Sequence, residues 1–154
     1  MILPGFAGSW TGTNGFRLMP SDPLAESPAT VTVTMVAGGH LTLVAYSWEH
    51  PDDGPQDGLL VIGSAGEDGS LTATWGDSWH QKPAPRSLPG GPGPGATSEF
   101  EGDYGGGWRW RIVFDAADAE NLRMRMDNVI SADQATAEVS AGPYPVMVMD
   151  VRRV

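Results

Sequence analysis

The sequence feature that most constrains this chain is a period-two alternation of apolar and polar residues, which recurs along most of its length. In residues 30–35, threonine at each even position alternates with valine or methionine at the odd positions. Residues 71–79, 108–114 and 121–128 repeat the pattern, whereas a helical period of about 3.6 residues is hard to find. Successive side chains of a β-strand point to opposite faces, so each segment predicts a strand with one buried face.

Glycine-rich turns separate these segments and determine how the strands connect. Gly38-Gly39, the Asp-Gly pair at 68–69 and the glycine run at 105–107 each interrupt the alternation. Turns this short join antiparallel strands, since a parallel pair needs a crossover of a dozen or more residues. The sequence therefore predicts an all-β, antiparallel up-and-down barrel of about 8–10 strands with little helix, because closure removes the exposed edges of a strand meander.

The chain has the size and composition of a single β-barrel domain covering residues 1–154. Its 154 residues are 40% hydrophobic and include six tryptophans, enough large side chains to bury one core. Many of the 21 glycines and 13 prolines mark turns, but residues 81–95 (QKPAPRSLPGGPGPG) concentrate them. Proline cannot donate a hydrogen bond to a β-ladder, so we expect this segment to be a long Pro/Gly-rich loop that forms a rim or lid.

The charge balance excludes several classes of partner. Nine basic residues against 19 acidic ones give a net charge of −10, which disfavours nucleic acids and anionic membranes. No apolar run approaches the ~20 residues that span a bilayer, and residues 1–10 lack the pattern of a signal peptide. The absence of cysteine excludes disulfides and thiolate metal sites. We expect a cytoplasmic protein, monomeric or homodimeric, that binds neither nucleic acid nor membrane.

The start of the first predicted strand carries a known pattern. Gly8-Ser9-Trp10, together with an arginine late in the sequence, resembles the calycin superfamily of lipocalin-like and fatty-acid-binding-type barrels. In that superfamily the tryptophan closes one end of the barrel and the arginine stacks across it. The resemblance implies that Trp10 closes the barrel here, with Arg152 or Arg153 as the stacking cation.

The resemblance extends over most of the chain. Residues 8–12, 75–78 and 122–126 are similar to DUF1579, a bacterial family of calycin-like barrels with no established activity. The segment at 81–95 is long for that family. The resemblance therefore implies a calycin-like barrel and leaves the function open.

One predicted strand places a carboxylate between two indoles. Trp75, Asp77 and Trp79 alternate on one face, so Asp77 points into the barrel if the tryptophans do. An interior carboxylate needs a partner, and it could anchor a ligand or accept a proton. Alternatively, Asp77 ends its strand and caps the following turn, which is a common position for aspartate.

The three histidines, His40, His50 and His80, give no recognisable metal-binding spacing. A zinc site assembled from all three across strands and a single histidine bound to haem iron are both conceivable. Histidines at the surface or at a loop rim are the simpler interpretation. We therefore predict no metal site and no cofactor.

Large side chains on the inward faces either fill the barrel or line a cavity within it. The residues that we predict to line such a cavity are Tyr46, Trp48, Trp75, Trp79, Trp108, Trp110 and Met124. On the opposite faces, four arginines are predicted to lie outside the barrel and to pair with Glu99, Glu101 or Asp127; they are Arg109, Arg111, Arg123 and Arg125.

These features favour a barrel that binds a small apolar or aromatic molecule. The alternative is a cofactor-independent cyclase or isomerase of specialised metabolism, in which the cavity is the active site. In that case Asp77 or His80 would transfer the proton, and these are the two candidate catalytic residues. A filled barrel that serves as a protein-interaction module is a third possibility.

Overall fold

The computed structural model describes residue 3, residues 5–82 and residues 84–154, and in these ranges the period-two alternation produces ten strands. Each strand pairs antiparallel with its neighbours in the sequence, and the first also pairs with the last. The strands are β1 (Gly8–Phe16), β2 (Ala25–Val36), β3 (Leu41–His50), β4 (Gly54–Ser64), β5 (Leu71–Asp77), β6 (Arg86–Pro92), β7 (Thr97–Gly105), β8 (Trp108–Asp118), β9 (Asn121–Ile130) and β10 (Gly142–Arg153). The predicted all-β, up-and-down barrel is confirmed.

Helix is limited to two single turns in the described ranges, Ala37–Gly39 and Ala132–Gln134. No helix among those residues is long and apolar enough to cross a membrane. The core fills the barrel interior with alternate residues of each strand, such as Val31 and Val33 on β2 and Met124 and Met126 on β9. The alternation seen in the sequence is thus the inward and outward order of the side chains.

The barrel is closed at the pairing of β1 with β10, where Trp10 lies opposite Arg153. The guanidinium carbon of Arg153 lies 4.3 Å from the centroid of the Trp10 ring, and Phe6 stacks on that ring at 5.4 Å. Arg153 also donates hydrogen bonds to the carbonyl oxygens of Gly5 and Ala7. Of the two arginines considered, Arg153 is the one that stacks on Trp10, and together they cover the end of the barrel where β1 begins.

The prediction of a loop throughout residues 81–95 is wrong, because β6 lies within that segment. Leu88 of β6 is fully buried and lies opposite Ala73 of β5. β6 pairs with β7 only over Gly90–Pro92, so its prolines interrupt fewer ladder hydrogen bonds than they would in a fully paired strand. A side chain at residue 90 would collide with the backbone of Glu99, so glycine allows the close approach there.

The four outward arginines pair with carboxylates, as predicted, although only two of the three predicted partners are used. Glu101 and Asp127 are two of the carboxylates, and Asp150 was not foreseen. The nitrogen–oxygen distances are 2.6 Å for Arg109–Glu101, 2.8 Å for Arg111–Asp127, 2.9 Å for Arg125–Asp127 and 2.6 Å for Arg123–Asp150.

We predict that Gly12→Ala destabilises the closed barrel. A Cβ atom at residue 12 would overlap the carbonyl oxygen of Asp150 on β10, so the pairing that closes the barrel would have to separate. The expected loss in the free energy of unfolding is about 1–3 kcal/mol, measured by urea denaturation. Gly91→Ala is the control, since its Cβ has no atom within 4 Å. Equal stability of the two variants would contradict the prediction.

Candidate functional site

The candidate site lies at the end of the barrel opposite Trp10. The odd-numbered strands, β1 to β9, end there, and the even-numbered strands, β2 to β10, begin there. An antiparallel meander alternates its turns between the two ends, so residues far apart in the sequence meet at this rim. Asp77, His80 and most of the predicted aromatic residues are among them.

Asp77, the last residue of β5, is the centre of a hydrogen-bond network. Its carboxylate is fully buried, and Oδ1 accepts hydrogen bonds from the backbone N–H groups of Trp79 at 2.8 Å and His80 at 2.7 Å. Oδ2 accepts a hydrogen bond of 2.6 Å from the hydroxyl of Tyr46. Asp77 therefore caps the turn after β5 and also contacts Tyr46 in the barrel interior. The two alternatives that the sequence offered for Asp77, an interior carboxylate and a turn cap, thus both hold.

Strand register brings Tyr46 to Asp77. Tyr46 of β3 lies opposite Gly58 of β4, which in turn lies opposite Asp77 of β5. Gly58 has no side chain, and a Cβ there would overlap the Tyr46 ring, so the glycine lets the phenol lie across β4 towards the carboxylate. Trp75 Nε1 donates a hydrogen bond of 2.9 Å to the Tyr46 hydroxyl and fixes its orientation.

Burial and hydrogen bonding act in opposite directions on Asp77. Burial alone raises the pKa of its carboxyl group, but the hydrogen bond and the charge of His80, together with the Tyr46 hydroxyl, outweigh burial. The net result is a pKa of about 2, below the ordinary value of 3.8. Burial and the adjacent Asp77 charge raise the pKa of Tyr46. At neutral pH the pair is thus an ionised carboxylate that accepts a hydrogen bond from a neutral phenol.

His80 is held by Asp77 and packed among aromatic rings. Its Nδ1 lies 3.2 Å from Asp77 Oδ1, and because an ionised carboxylate can only accept, Nδ1 carries the hydrogen. The imidazole lies 5.2 Å from Trp110, 5.3 Å from Trp48 and 5.0 Å from Trp79, measured between ring centroids. Because Nδ1 is used by Asp77, Nε2 is the ring nitrogen that can still bind another group, and in the neutral ring it carries a lone pair.

His50 is a second buried histidine, with the opposite tautomer. Its Nδ1 accepts hydrogen bonds of 3.1 Å from the backbone N–H groups of Asp52 and Asp53, so Nε2 carries the hydrogen in the neutral ring. Trp79 stacks on His50 with 4.6 Å between centroids. His50 and His80 thus lie at the rim of the barrel, one of the two positions expected, but they are not surface side chains, since they are 6% and 5% exposed. Within the described ranges, no group of three or more His, Cys, Asp or Glu side chains could hold a metal ion.

Several buried polar atoms at this end have no hydrogen-bond partner among the described residues. Leaving such an atom unpaired costs about 1–3 kcal/mol, and buried polar groups in proteins usually bond to a protein group, a water or a ligand. Asn14, a lone amide on the apolar face of β1, was not predicted as a site residue, although its place between Trp10 and Phe16 is visible in the sequence. The atoms are Trp48 Nε1, His50 Nε2, His80 Nε2, Trp110 Nε1 and both polar atoms of the Asn14 amide.

A cleft of about 260 Å³ opens beside His80, and we call it the aromatic cleft. Tyr46 and Trp48 lie beneath it, against Trp75 and His80, and Asp77 lies behind His80. Four predicted cavity residues do not line the cleft: Tyr46, Trp48, Trp108 and Met124, the last of which is fully buried in the core. The residues that line the cleft are Trp75, Trp79, His80, Gln81, Arg86, Tyr104 and Trp110.

Three of the cleft residues were missed by sequence analysis. Gln81 and Arg86 belong to the segment that was expected to be a loop, and Tyr104 is at the end of β7. The Tyr104 hydroxyl donates a hydrogen bond of 2.5 Å to Asn128 on β9, which holds the tyrosine at the rim. Their place in the cleft depends on the register of the consecutive strands β5 to β8, which the sequence does not reveal.

Comparison with known proteins adds no family assignment: no protein-family model matches the chain, and no characterised protein is significantly similar to it in sequence.

We predict that Asp77→Asn lowers stability in a pH-dependent way. A carboxyl group whose pKa is lower in the folded protein stabilises the fold above its ordinary pKa of 3.8, and this contribution is lost as the pH falls towards about 2. The expected loss at pH 7 is about 2 kcal/mol, measured by urea denaturation. The difference in the free energy of unfolding between Asp77→Asn and the wild type should therefore shrink as the pH falls from 3.8 towards about 2.

The exposed Asp52 provides the control for this measurement. Asp52→Asn should keep the acid profile of the wild-type protein, because its carboxylate has no buried partner among the described residues. A difference between Asp77→Asn and wild type that stays constant from pH 7 down to the lowest pH at which the proteins fold would contradict the prediction.

Proposed function

We propose that this protein binds a small aromatic or largely apolar molecule in the aromatic cleft. The observation that carries the proposal is the presence of two buried, unpartnered polar atoms, His80 Nε2 and Trp110 Nε1, on residues that line the cleft. An apolar wall with a few oriented polar groups is the usual composition of a small-molecule site. A bound molecule would remove the cost of leaving those polar atoms without partners.

The geometry of the tryptophans indicates the size and shape of the ligand. Trp75 and Trp110 both line the cleft, and their rings stack nearly parallel, with 5.5 Å between centroids and an angle of 6° between their planes. The cleft volume of about 260 Å³ is slightly below the range of about 300–1,000 Å³ that is usual for small-molecule sites. A planar molecule of one or two rings would therefore fit, and it would gain about 25 cal/mol for each Å² of apolar surface that it buries.

The resemblance to calycin barrels is compatible with this proposal. The closed ten-strand meander and the stack of Arg153 on Trp10 both support a barrel of the calycin type. We therefore also propose that the chain is a calycin-like barrel of the DUF1579 kind.

N-phenyl-1-naphthylamine, an uncharged dye whose fluorescence rises in apolar surroundings, tests the proposed site. We expect saturable binding to the wild-type protein, and at least tenfold weaker binding to Trp79→Ala, which removes one wall of the cleft. Trp108→Ala is the matched control, because Trp108 is also a partly buried tryptophan at this end of the barrel but lies outside the cleft. No saturable binding to the wild type, or equal losses in both variants, would overturn the proposal.

The Asp77–His80 pair supports a second candidate function, proton transfer within the bound molecule. Asp77 fixes the hydrogen of the imidazole on Nδ1, so Nε2 of the neutral ring can accept a proton from an acidic C–H group. The ionised carboxylate then stabilises the imidazolium, which returns the proton to another atom of the same molecule. This cycle needs no cofactor, and it would make the protein an isomerase or cyclase.

Exchange of carbon-bound hydrogen for deuterium tests this second function. With 2-tetralone in D₂O, we expect the wild-type protein to accelerate the loss of the α-proton NMR signals above the buffer rate. His80→Gln should abolish the acceleration, because glutamine cannot accept the proton, and Asp77→Asn should reduce it by about 10²-fold or more. Binding of the ketone without faster exchange, or unchanged exchange in His80→Gln, would refute the proton-transfer function but not ligand binding.

A further inference from the structure

Two of the polar groups that remain unused in the aromatic cleft, on Arg86 and Trp110, are hydrogen-bond donors. Arg86, at the start of β6, donates from Nε to Gln81 Oε1 at 3.0 Å and from Nη1 to the carbonyl oxygen of Asp103 at 2.9 Å. These bonds hold the guanidinium in place, and Nη2 has no partner among the described residues. No carboxylate of the described residues lies within 4.0 Å of the Arg86 guanidinium. Each of the four arginines on the outer face, in contrast, has a carboxylate within that distance.

The acceptor oxygen of Gln81 is already engaged, whereas His80 Nε2 carries a free lone pair as long as the imidazole is neutral. Gln81 Oε1 is used by Arg86, and the other half of that amide donates to the carbonyl oxygen of Ala84 at 2.7 Å. The Tyr104 hydroxyl donates its hydrogen to Asn128 Oδ1. In contrast, Trp110 Nε1, which can only donate, is buried without a partner among the described residues. The cleft thus offers a fixed cation between aromatic walls, and the buried N–H group of a wall residue, Trp110, is unpaired.

From this arrangement we infer that the ligand of the aromatic cleft is an aromatic anion, with a carboxylate or similar oxyanion bound by Arg86 and the ring packed on the tryptophans. The inference rests on the proposed function and names its ligand class. A guanidinium forms its strongest hydrogen bonds with carboxylates and related oxyanions. His80, when protonated, would add a second cation on the same side of the ligand.

The net charge of −10 does not prevent this binding. At physiological ionic strength charges are screened over about 8 Å, so the groups nearest the ligand dominate. The nearby carboxylates are engaged: Asp77 with Tyr46 and His80, Asp53 with the Trp79 indole N–H at 2.7 Å, and Asp103 with the N–H of Gly105 at 2.6 Å. Arg86 is the charged side chain among those that line the cleft, apart from a protonated His80.

Calorimetry with 2-naphthoate and 2-naphthamide tests the inference, because the two molecules share a ring system and differ in charge. We expect the wild-type protein to bind naphthoate at least tenfold more tightly than naphthamide. Arg86→Gln should weaken naphthoate binding about tenfold and leave naphthamide within twofold, and Arg86→Lys should retain part of the preference. Arg109→Gln, which removes a surface cation paired with Glu101, is the matched control and should behave as the wild type.

The outcomes separate this inference from the proposed function. Equal affinity for the two ligands, absence of naphthoate binding in a protein that binds the uncharged dye, or an unchanged preference in Arg86→Gln would each overturn the inference while ligand binding stands. If Arg86→Gln does not fold, as judged by circular dichroism, the comparison of Arg86→Lys with Arg109→Gln decides it: an equal preference in those two variants would overturn the inference. A wild-type protein that binds neither the dye nor either naphthyl ligand would overturn both proposals.

Discussion

The buried carboxylate of Asp77 is the group on which the candidate site depends. Its two oxygens bind Tyr46 from β3, the imidazole of His80, and two backbone N–H groups of the turn after β5. Without these donors an ionised carboxylate in this position would be strongly unfavourable, because burial favours the neutral acid. The same bonds orient the phenol, fix the tautomer of the imidazole and shape the turn that carries Trp79. The ionised carboxylate of Asp77 thus connects the end of β5, the turn that follows it and the two cleft residues on that turn, Trp79 and His80.

Both ends of the barrel contain buried tryptophans, but the ends differ in whether the indole N–H groups have hydrogen-bond partners. At one end Trp10 lies between Phe6 and Arg153, and its Nε1 donates to the carbonyl oxygen of Phe6 at 3.0 Å, so this indole has all its polar capacity satisfied. At the other end the Nε1 atoms of Trp48 and Trp110 are buried and unpartnered in the described part of the chain. The indole N–H group is thus satisfied at the end that Trp10 closes, whereas two indole N–H groups are left unpaired at the end that holds the candidate site.

The sequence was sufficient for the fold but only partly for the site. Alternation and short turns predict antiparallel strands because the side-chain period and the turn length are local properties. Tyr46 and Asp77 were both singled out, yet their contact could not be foreseen, because it depends on the register of three strands and on the missing side chain of Gly58. Arg86 was missed for another reason: its segment is rich in proline, and a strand with partial pairing tolerates proline in a way that composition does not reveal.

The meander topology also bears on the order in which the molecule can assemble. Every strand pair joins neighbours along the chain except β1 with β10, whose partners Trp10 and Arg153 lie almost the whole chain apart. Closing so long a loop costs more chain entropy than forming a hairpin, so local pairings are favoured early and this one late. The row of Tyr46, Gly58 and Asp77 belongs to three consecutive strands and can therefore form in a sheet that is still open. The Asp77 network would be organised early, and the last step of folding would close the side wall of the barrel between β1 and β10, from Trp10 to Phe16.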